Sequence, residues 1–333
     1  MQQNEEIYIK LLAKYIREND EQSLYRAQKL SRNLIEDGVS PEEVVDLHVK
    51  SLFSIFSNLD EEMKRSFKFL LEVMMDYGIA YREHQSLKDK QRELKMEIEL
   101  AATMQQRLLS EEVPNVEALD IGAISKPTSQ LNGDYYHFVT DEKERVSVAV
   151  ADVIGKGIPA MLCMSMIRYA MDSLPERAMN PGAVLENLNR VVERNIDDSM
   201  FITMFYGLYD PKNACFFYAS AGHERGFIYR KQSNEFQELV TKGLVLGVKN
   251  NTKYNDYILN LDVGDMIILL TDGVTECRVN DRFIRREEIT ALIRKYAHLS
   301  SQEIVNEVYR ELEKLQNFVL KDDMTLIVMR RRV

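Results

Sequence analysis

The sequence predicts two fold classes in one chain, an N-terminal all-α helical bundle and a C-terminal α+β domain. Three observations carry this. Residues 1–84 hold no strand-like alternation, and only Pro41 and two glycines interrupt them. Residues 85–112 are charged and free of glycine, which suits a linker helix ending at Pro114. Beyond it come short apolar runs bounded by turn residues, with helical stretches gathered in separate blocks. Strands that neighbour one another in sequence indicate an α+β sandwich and not a doubly wound parallel sheet.

The first helices are expected at 4–18 and 21–37. A third starts at Ser40, where Ser40, Pro41 and Glu43 form a capping box with proline in the first turn, ahead of Val44, Val45, Leu47, Leu52 and Phe53. A fourth covers 60–84. A four-helix unit this short has few ways to bury all its apolar faces alone, so dimerisation is expected to supply the missing surface. In the linker, Leu87, Leu94, Ala101 and Leu108 recur every seven residues, with Gln91, Ile98 and Gln105 as the companion positions. That pattern suits a weak parallel coiled coil or an ordinary amphipathic helix. The expected divisions are therefore 1–84, a helical partner-binding and dimerisation domain, 85–118, the linker, and 119–333.

In the last part, strands are expected at 119–125, 135–140, 145–151, 201–209, 214–220, 226–230, 254–260, 265–271 and 324–330. Helices are expected at 158–172, 181–195, 286–296 and 301–316.

Four aspartates stand where these strands meet turn signals: Asp134, Asp152, Asp272 and Asp322. Any one of them is explained by the preference of aspartate for turns. Together they say more, because each is in phase with a set of apolar neighbours. Those are Tyr136 and Phe138; Val146, Val148 and Val150; Met266, Ile268 and Leu270; and Met324, Leu326 and Val328. Shared phase points all four carboxylates at one interior, where they repel unless a cation compensates them. Oxygen-only ligands suit hard divalent ions, and two such ions match four charges, which indicates a two-metal hydrolytic centre.

Composition narrows the field. With 53 acidic against 43 basic residues the formal net charge is −10, which argues against nucleic-acid binding as the main activity. Cys163, Cys215 and Cys277 lie far apart without zinc-type spacing, as in a reducing compartment. No apolar stretch is long enough for a membrane helix and the acidic start has no signal-peptide pattern, so a soluble, cytoplasmic protein is expected.

Five motifs then occur in order: Gly133-Asp134-Tyr135-Tyr136, Ala151-Asp152-Val153-Ile154-Gly155-Lys156-Gly157, Ser220-Ala221-Gly222-His223, Thr271-Asp272-Gly273-Val274-Thr275-Glu276 and Asp322-Asp323-Met324-Thr325. In these the chain resembles the bacterial PPM-type serine/threonine phosphatases of the SpoIIE class over residues 119–333. The helical half, with Ser23-Leu24-Tyr25-Arg26-Ala27 and Glu97-Ile98-Glu99-Leu100-Ala101-Ala102, resembles those members that switch on the general stress sigma factor.

The resemblance implies an αββα sandwich with two Mn2+ or Mg2+ ions at one end of the sheets. It implies that Asp152 bridges both ions, that Asp272 and Asp322 hold one, and that Asp134 with the Val153 carbonyl holds the other. Strand parity favours Asp322 over Asp323. The family often has glycine where this chain has the β-branched Val153. The implied chemistry is hydrolysis by a metal-activated water without a covalent phosphoenzyme. The implied substrate is a phosphorylated anti-sigma-factor antagonist, and the implied activator is a switch protein docking on the helical half.

Other features are weaker. Gly155-Lys156-Gly157 is similar to a phosphate loop but lacks the longer glycine spacing and the following Ser or Thr. The helix bearing Met161, Met164 and Met166 suits either core or a regulatory element beside Asp152. His223 suits either a proton donor or a loop-bracing histidine. Two rival functions stand beside the phosphatase: a catalytically silent signalling scaffold and a two-metal hydrolase of small phosphate esters.

Overall fold

The computed structural model describes residues 2–56, 58–109, 112–155, 157–173, 180–196, 200–279, 282–318 and 320–333. Lys156, central to the Gly-Lys-Gly motif, lies outside the described residues, as do the side chains of Leu108 and Leu109. The chain divides into two compact units, Met1–Lys95 and Met96–Val333.

The first unit holds α1 (Gln2–Glu18), α2 (Glu21–Glu36) and α3 (Pro41–Ile55), with the opening turns of α4 (Glu61–Leu109). The expected capping box is present: the Ser40 hydroxyl accepts from the Glu43 N–H at 3.4 Å, and the Glu43 carboxylate accepts from the Ser40 N–H at 2.8 Å. Glu42 is buried and pairs with Arg82. Gly78 makes room for it, since a Cβ there would fall 1.9 Å from Glu42 Oε2. Among the described residues the unit's buried apolar side chains are Leu30, Leu34 and Val49, while Tyr25, Ile35, Phe69 and Tyr77 stay exposed. The expected helices at 60–84 and 85–112 are a single helix, because nothing between them breaks the hydrogen-bond ladder.

The second unit is a four-layer sandwich. One antiparallel sheet has the order β2-β3-β4-β5-β8: β2 (Asp134–Thr140), β3 (Val146–Ile154), β4 (Phe201–Asp210), β5 (Cys215–Ala221) and β8 (Tyr257–Asn260). The other has the order β1-β12-β9-β6-β7: β1 (Leu119–Lys126), β12 (Met324–Arg331), β9 (Met266–Leu270), β6 (Phe227–Arg230) and β7 (Glu235–Glu238). Helices α5 (Ile158–Asp172) and α6 (Pro181–Asn195) cover the first sheet, and α8 (Arg286–Tyr296) and α9 (Ser301–Leu315) cover the second. Between the sheets lies a core of Val146, Val148, Val150, Phe205, Phe216, Ile267, Leu269, Ile327 and Met329. This is the expected αββα arrangement.

The structure corrects the sequence reading in several places. The strand expected at 254–260 begins only at Tyr257. Strand β7, the hairpin of β10 (Arg278–Val279) with β11 (Arg282–Phe283), and the short α7 (Asp272–Thr275) were not expected. They are too short to carry a periodic signal. More consequential is strand phase. It holds for Asp134 and Asp152, whose in-phase neighbours face the sandwich centre. It fails for Asp272 and Asp322, because Met266, Ile268, Leu270, Met324, Leu326 and Val328 pack outward against α8 and α9. Strands β9 and β12 are buried on both faces, so their apolar pattern cannot distinguish inside from outside. Among the described residues no helix is long and apolar enough to cross a membrane.

Candidate active site

The candidate site lies where both sheets release their chains at one end of the sandwich. Strands β2 and β3 pair in register so that Asp134 faces Asp152. After β3 the chain turns through Gly155 (φ 144°) and Gly157 (φ 82°), conformations that favour glycine, and enters α5. In the other sheet the chain leaves β9 at Thr271 and turns into α7, which starts at Asp272. Asp322 and Asp323 occupy the bend just before β12. Gly273 permits that approach, since a Cβ on it would lie 2.0 Å from the Asp323 carbonyl oxygen.

A cleft of about 230 Å3 results, lined by Asp152, Asp272, Asp322 and Asp323 together with the backbone of Gly133 and Val153. Gly133 marks its floor. The point where a Cβ would sit lies 3.2 Å from Asp323 Oδ2, 3.5 Å from Asp152 Oδ1 and 3.9 Å from the Val153 carbonyl oxygen. Three oxygens thus surround a space that any side chain at 133 would fill. The Val153 side chain points the other way, into the core beneath α5, which leaves its carbonyl available.

Electrostatics agree with this crowding. Burial, then the charges of Asp272, Asp322 and Asp323, push Asp152 up to about 7. Burial and then Asp322 raise Asp272 as well. Carboxylates so placed cannot all ionise cheaply without a counter-charge, and an oxygen-only donor set selects a hard cation. Among the described residues no three acidic, histidine or cysteine side chains yet close around one point. The donors line one cleft, and as an oxygen-only set they are of the kind that suits hard divalent ions.

Asp134 sits deeper than the other three. It is 2% exposed and does not line this cleft. Its Oδ2 accepts hydrogen bonds from Thr271 Oγ1 and Thr325 Oγ1, each at 2.7 Å. Burial raises its pKa well above the ordinary value, against the lowering by these two hydroxyls. The proton directions follow. Thr271 donates to Asp134 and accepts from the Thr325 N–H at 3.0 Å. Thr325 donates to Asp134, so it accepts from Ser125 Oγ at 2.9 Å, and Ser125 in turn accepts from Asn132 Nδ2 at 3.1 Å. Each donor polarises the next toward the carboxylate.

Sequence reasoning missed Thr271 and Thr325, though a signal existed: they share the phase of the inward residues Ile267, Leu269, Ile327 and Met329. It also missed the role of Asp323. That carboxylate accepts from the Thr128 N–H (2.6 Å), the Thr128 hydroxyl (2.9 Å) and the Gly133 N–H, bracing the loop before β2. Asp322 is left facing the cleft, so parity preferred it for a reason the fold does not support.

His223 is buried, its Nδ1 paired with Thr203 Oγ1 at 2.8 Å and its N–H donating to Ser220 Oγ. Burial lowers its pKa to about 4. It lines no part of the cleft and braces the segment beside β4. Met164, on the inner face of α5, is buried in the core between that helix and the first sheet.

Comparison with known proteins completes the picture. The family profile described as stage II sporulation protein E (SpoIIE) matches residues 142–332, and that of the phosphoserine phosphatase RsbU N-terminal domain matches residues 6–80. The chain is 54% identical to phosphoserine phosphatase RsbU of Bacillus subtilis (strain 168), covering 99% of this chain and 98% of that one. Among solved structures, the SiaA PP2C domain of Pseudomonas aeruginosa aligns with a TM-score of 0.60 at 18% identity, over 72% of this chain and 98% of that one. RsbX in complex with magnesium aligns with a TM-score of 0.51 at 21% identity, over 66% and 98%.

Proposed function

The chain belongs to the RsbU group of SpoIIE-type PPM phosphoserine phosphatases, and from that premise we propose that it dephosphorylates an RsbV-like anti-sigma-factor antagonist and thereby activates a general stress sigma factor. The observation that carries the metal-dependent part is the set of oxygens around Gly133, from Asp152, Val153 and Asp323, beside Asp272 and Asp322 in one cleft. Asp152, Asp272 and Asp322 would hold one Mn2+ or Mg2+ ion, and Asp152, the Val153 carbonyl and Asp134 the second. Bound ions would supply charge neutralisation for the phosphoryl group and a water of lowered pKa. The magnesium with which RsbX is described is consistent with this choice of ion.

The protein's own residues do the rest. Asp323 and Thr128 hold the loop in front of β2, Thr271 and Thr325 orient the Asp134 carboxyl, and Gly133 keeps the space clear. A phosphoserine carries close to two negative charges, which a chain of net charge −10 repels unless cations occupy the cleft. Metal occupancy therefore governs both substrate binding and turnover.

We assign residues 1–84 to dimerisation and to docking of an RsbT-like activating switch protein, 85–118 to a linker able to form a coiled coil, and 119–333 to catalysis. The exposed apolar side chains of the first unit support a partner-covered surface there. The test is phosphate release from the phosphoserine antagonist with Mn2+, with and without chelator and with and without the switch protein. Chelator-sensitive turnover raised by the switch protein is the expected result. No turnover from folded, metal-loaded protein would overturn the proposal.

A further inference from the structure

Gln105 is 3% exposed although its helical neighbours Met104 and Gln106 face solvent. Its side chain meets both backbone groups of a single residue, Asn132. Nε2 donates to the Asn132 carbonyl at 2.8 Å, and Oε1 accepts from the Asn132 N–H at 2.9 Å. The remaining Nε2 proton points to Met164 Sδ on α5, 3.5 Å away. Reversing the amide would set donor against donor, so this orientation is the one that satisfies both groups. The pairing is that of two strand residues, made here by a side chain at the end of a helix.

What is clamped is the residue before the cleft floor. The Asn132 Oδ1 accepts from the Asp134 N–H at 3.0 Å, and Asn132 Nδ2 opens the chain of hydrogen bonds that ends on the Asp134 carboxylate. Gly133 follows directly, with its N–H on Asp323 and its carbonyl accepting from the Val153 N–H at 3.1 Å. From these contacts we infer that Gln105 is a positioning residue for the metal cleft: its amide fixes the Asn132 backbone and through it the Gly133 space and the Asp134 carboxyl group. This rests on the metal-dependent reading given above. The linker expectation placed Gln105 on a coiled-coil seam with Gln91; in this structure its side chain is buried against Asn132 and Met164.

Groups that orient metal ligands change affinity when removed, by about 10- to 100-fold where measured in other proteins. A Gln105→Met full-length chain keeps the volume and loses both hydrogen bonds, so Mn2+ binding, followed by calorimetry, should weaken at least about tenfold. Gln106→Met on the exposed face should bind Mn2+ like the parent chain. A residue that merely docked the helix would lower the melting temperature of Gln105→Met with Mn2+ affinity unchanged, and that outcome overturns the inference. Should Gln105→Met not fold, the parent chain itself supplies the test. Coupling is reciprocal, so Mn2+ must slow hydrogen exchange at the Asn132 amide. Exchange there that is indifferent to saturating Mn2+ overturns the inference equally. Failure of the metal reading looks different, because then the parent chain would bind no Mn2+ at all.

Discussion

Replacing Asp152 by asparagine should stabilise the metal-free protein while destroying its response to metal. Burial and three neighbouring carboxylates raise Asp152 from an ordinary 3.8 to about 7. At about 1.36 kcal/mol per pH unit, that rise costs the fold up to ~4 kcal/mol at pH 8, where the unfolded chain carries the charge freely. The sign is that of a raised acid. The cost is full above the folded value of about 7, shrinks as pH falls toward 3.8, and vanishes where both states are protonated. Asparagine removes the charge but still buries a polar amide, so a net gain of about 2–4 kcal/mol is expected in chelator at pH 8. At pH 5 the charge cost is about 2.7 kcal/mol smaller, so the gain should fall to about 1 kcal/mol or less. Saturating Mn2+ closes most of this gap: at a hundredfold excess over Kd the parent chain gains about 2.7 kcal/mol and the variant little. The chain has no tryptophan, so urea unfolding is best followed by circular dichroism, with and without chelator. An Asp152→Asn protein less stable than the parent in chelator at pH 8 would refute the electrostatic account of the cleft.

Other consequences follow from the same geometry. Gly133→Ala puts a methyl among Asp152 Oδ1, Asp323 Oδ2 and the Val153 carbonyl, so Mn2+ affinity measured by titration should fall more than about tenfold with the fold retained. Thr325→Val removes one of the two hydroxyls on buried Asp134 and should lower unfolding stability by about 1–3 kcal/mol in the same urea assay. His223, lowered to about 4, stays neutral in the fold while the unfolded chain protonates near 6.5, so stability is lost as pH falls from 6.5 toward 4, by up to about 3 kcal/mol. A His223→Gln chain should show a flatter stability profile over that window in the same unfolding assay. Asp272→Asn should abolish phosphatase turnover while leaving the circular dichroism spectrum unchanged, and full activity in such a chain would contradict the assignment of metal ligands.

The sequence by itself determined the sequence of elements and the places where chemistry can sit. Strand alternation, the Ser40 capping box and the prolines at 41 and 114 are local signals, and local signals survive folding because they concern neighbours in the chain. Aspartates at strand ends were visible for the same reason. Tertiary structure alone decided which face of β9 and β12 looks inward, since both faces are apolar and only packing against α8 and α9 separates them. It also decided that Asp323 braces a loop while Asp322 faces the cleft, through hydrogen bonds to Thr128 and Gly133, residues 195 and 190 positions away. The burial of Gln105 against Asn132 and the aim of Thr271 and Thr325 at Asp134 are of this kind too. Each joins groups far apart in sequence, and no periodicity along one segment carries information about a partner that only the closed sandwich brings within hydrogen-bonding distance.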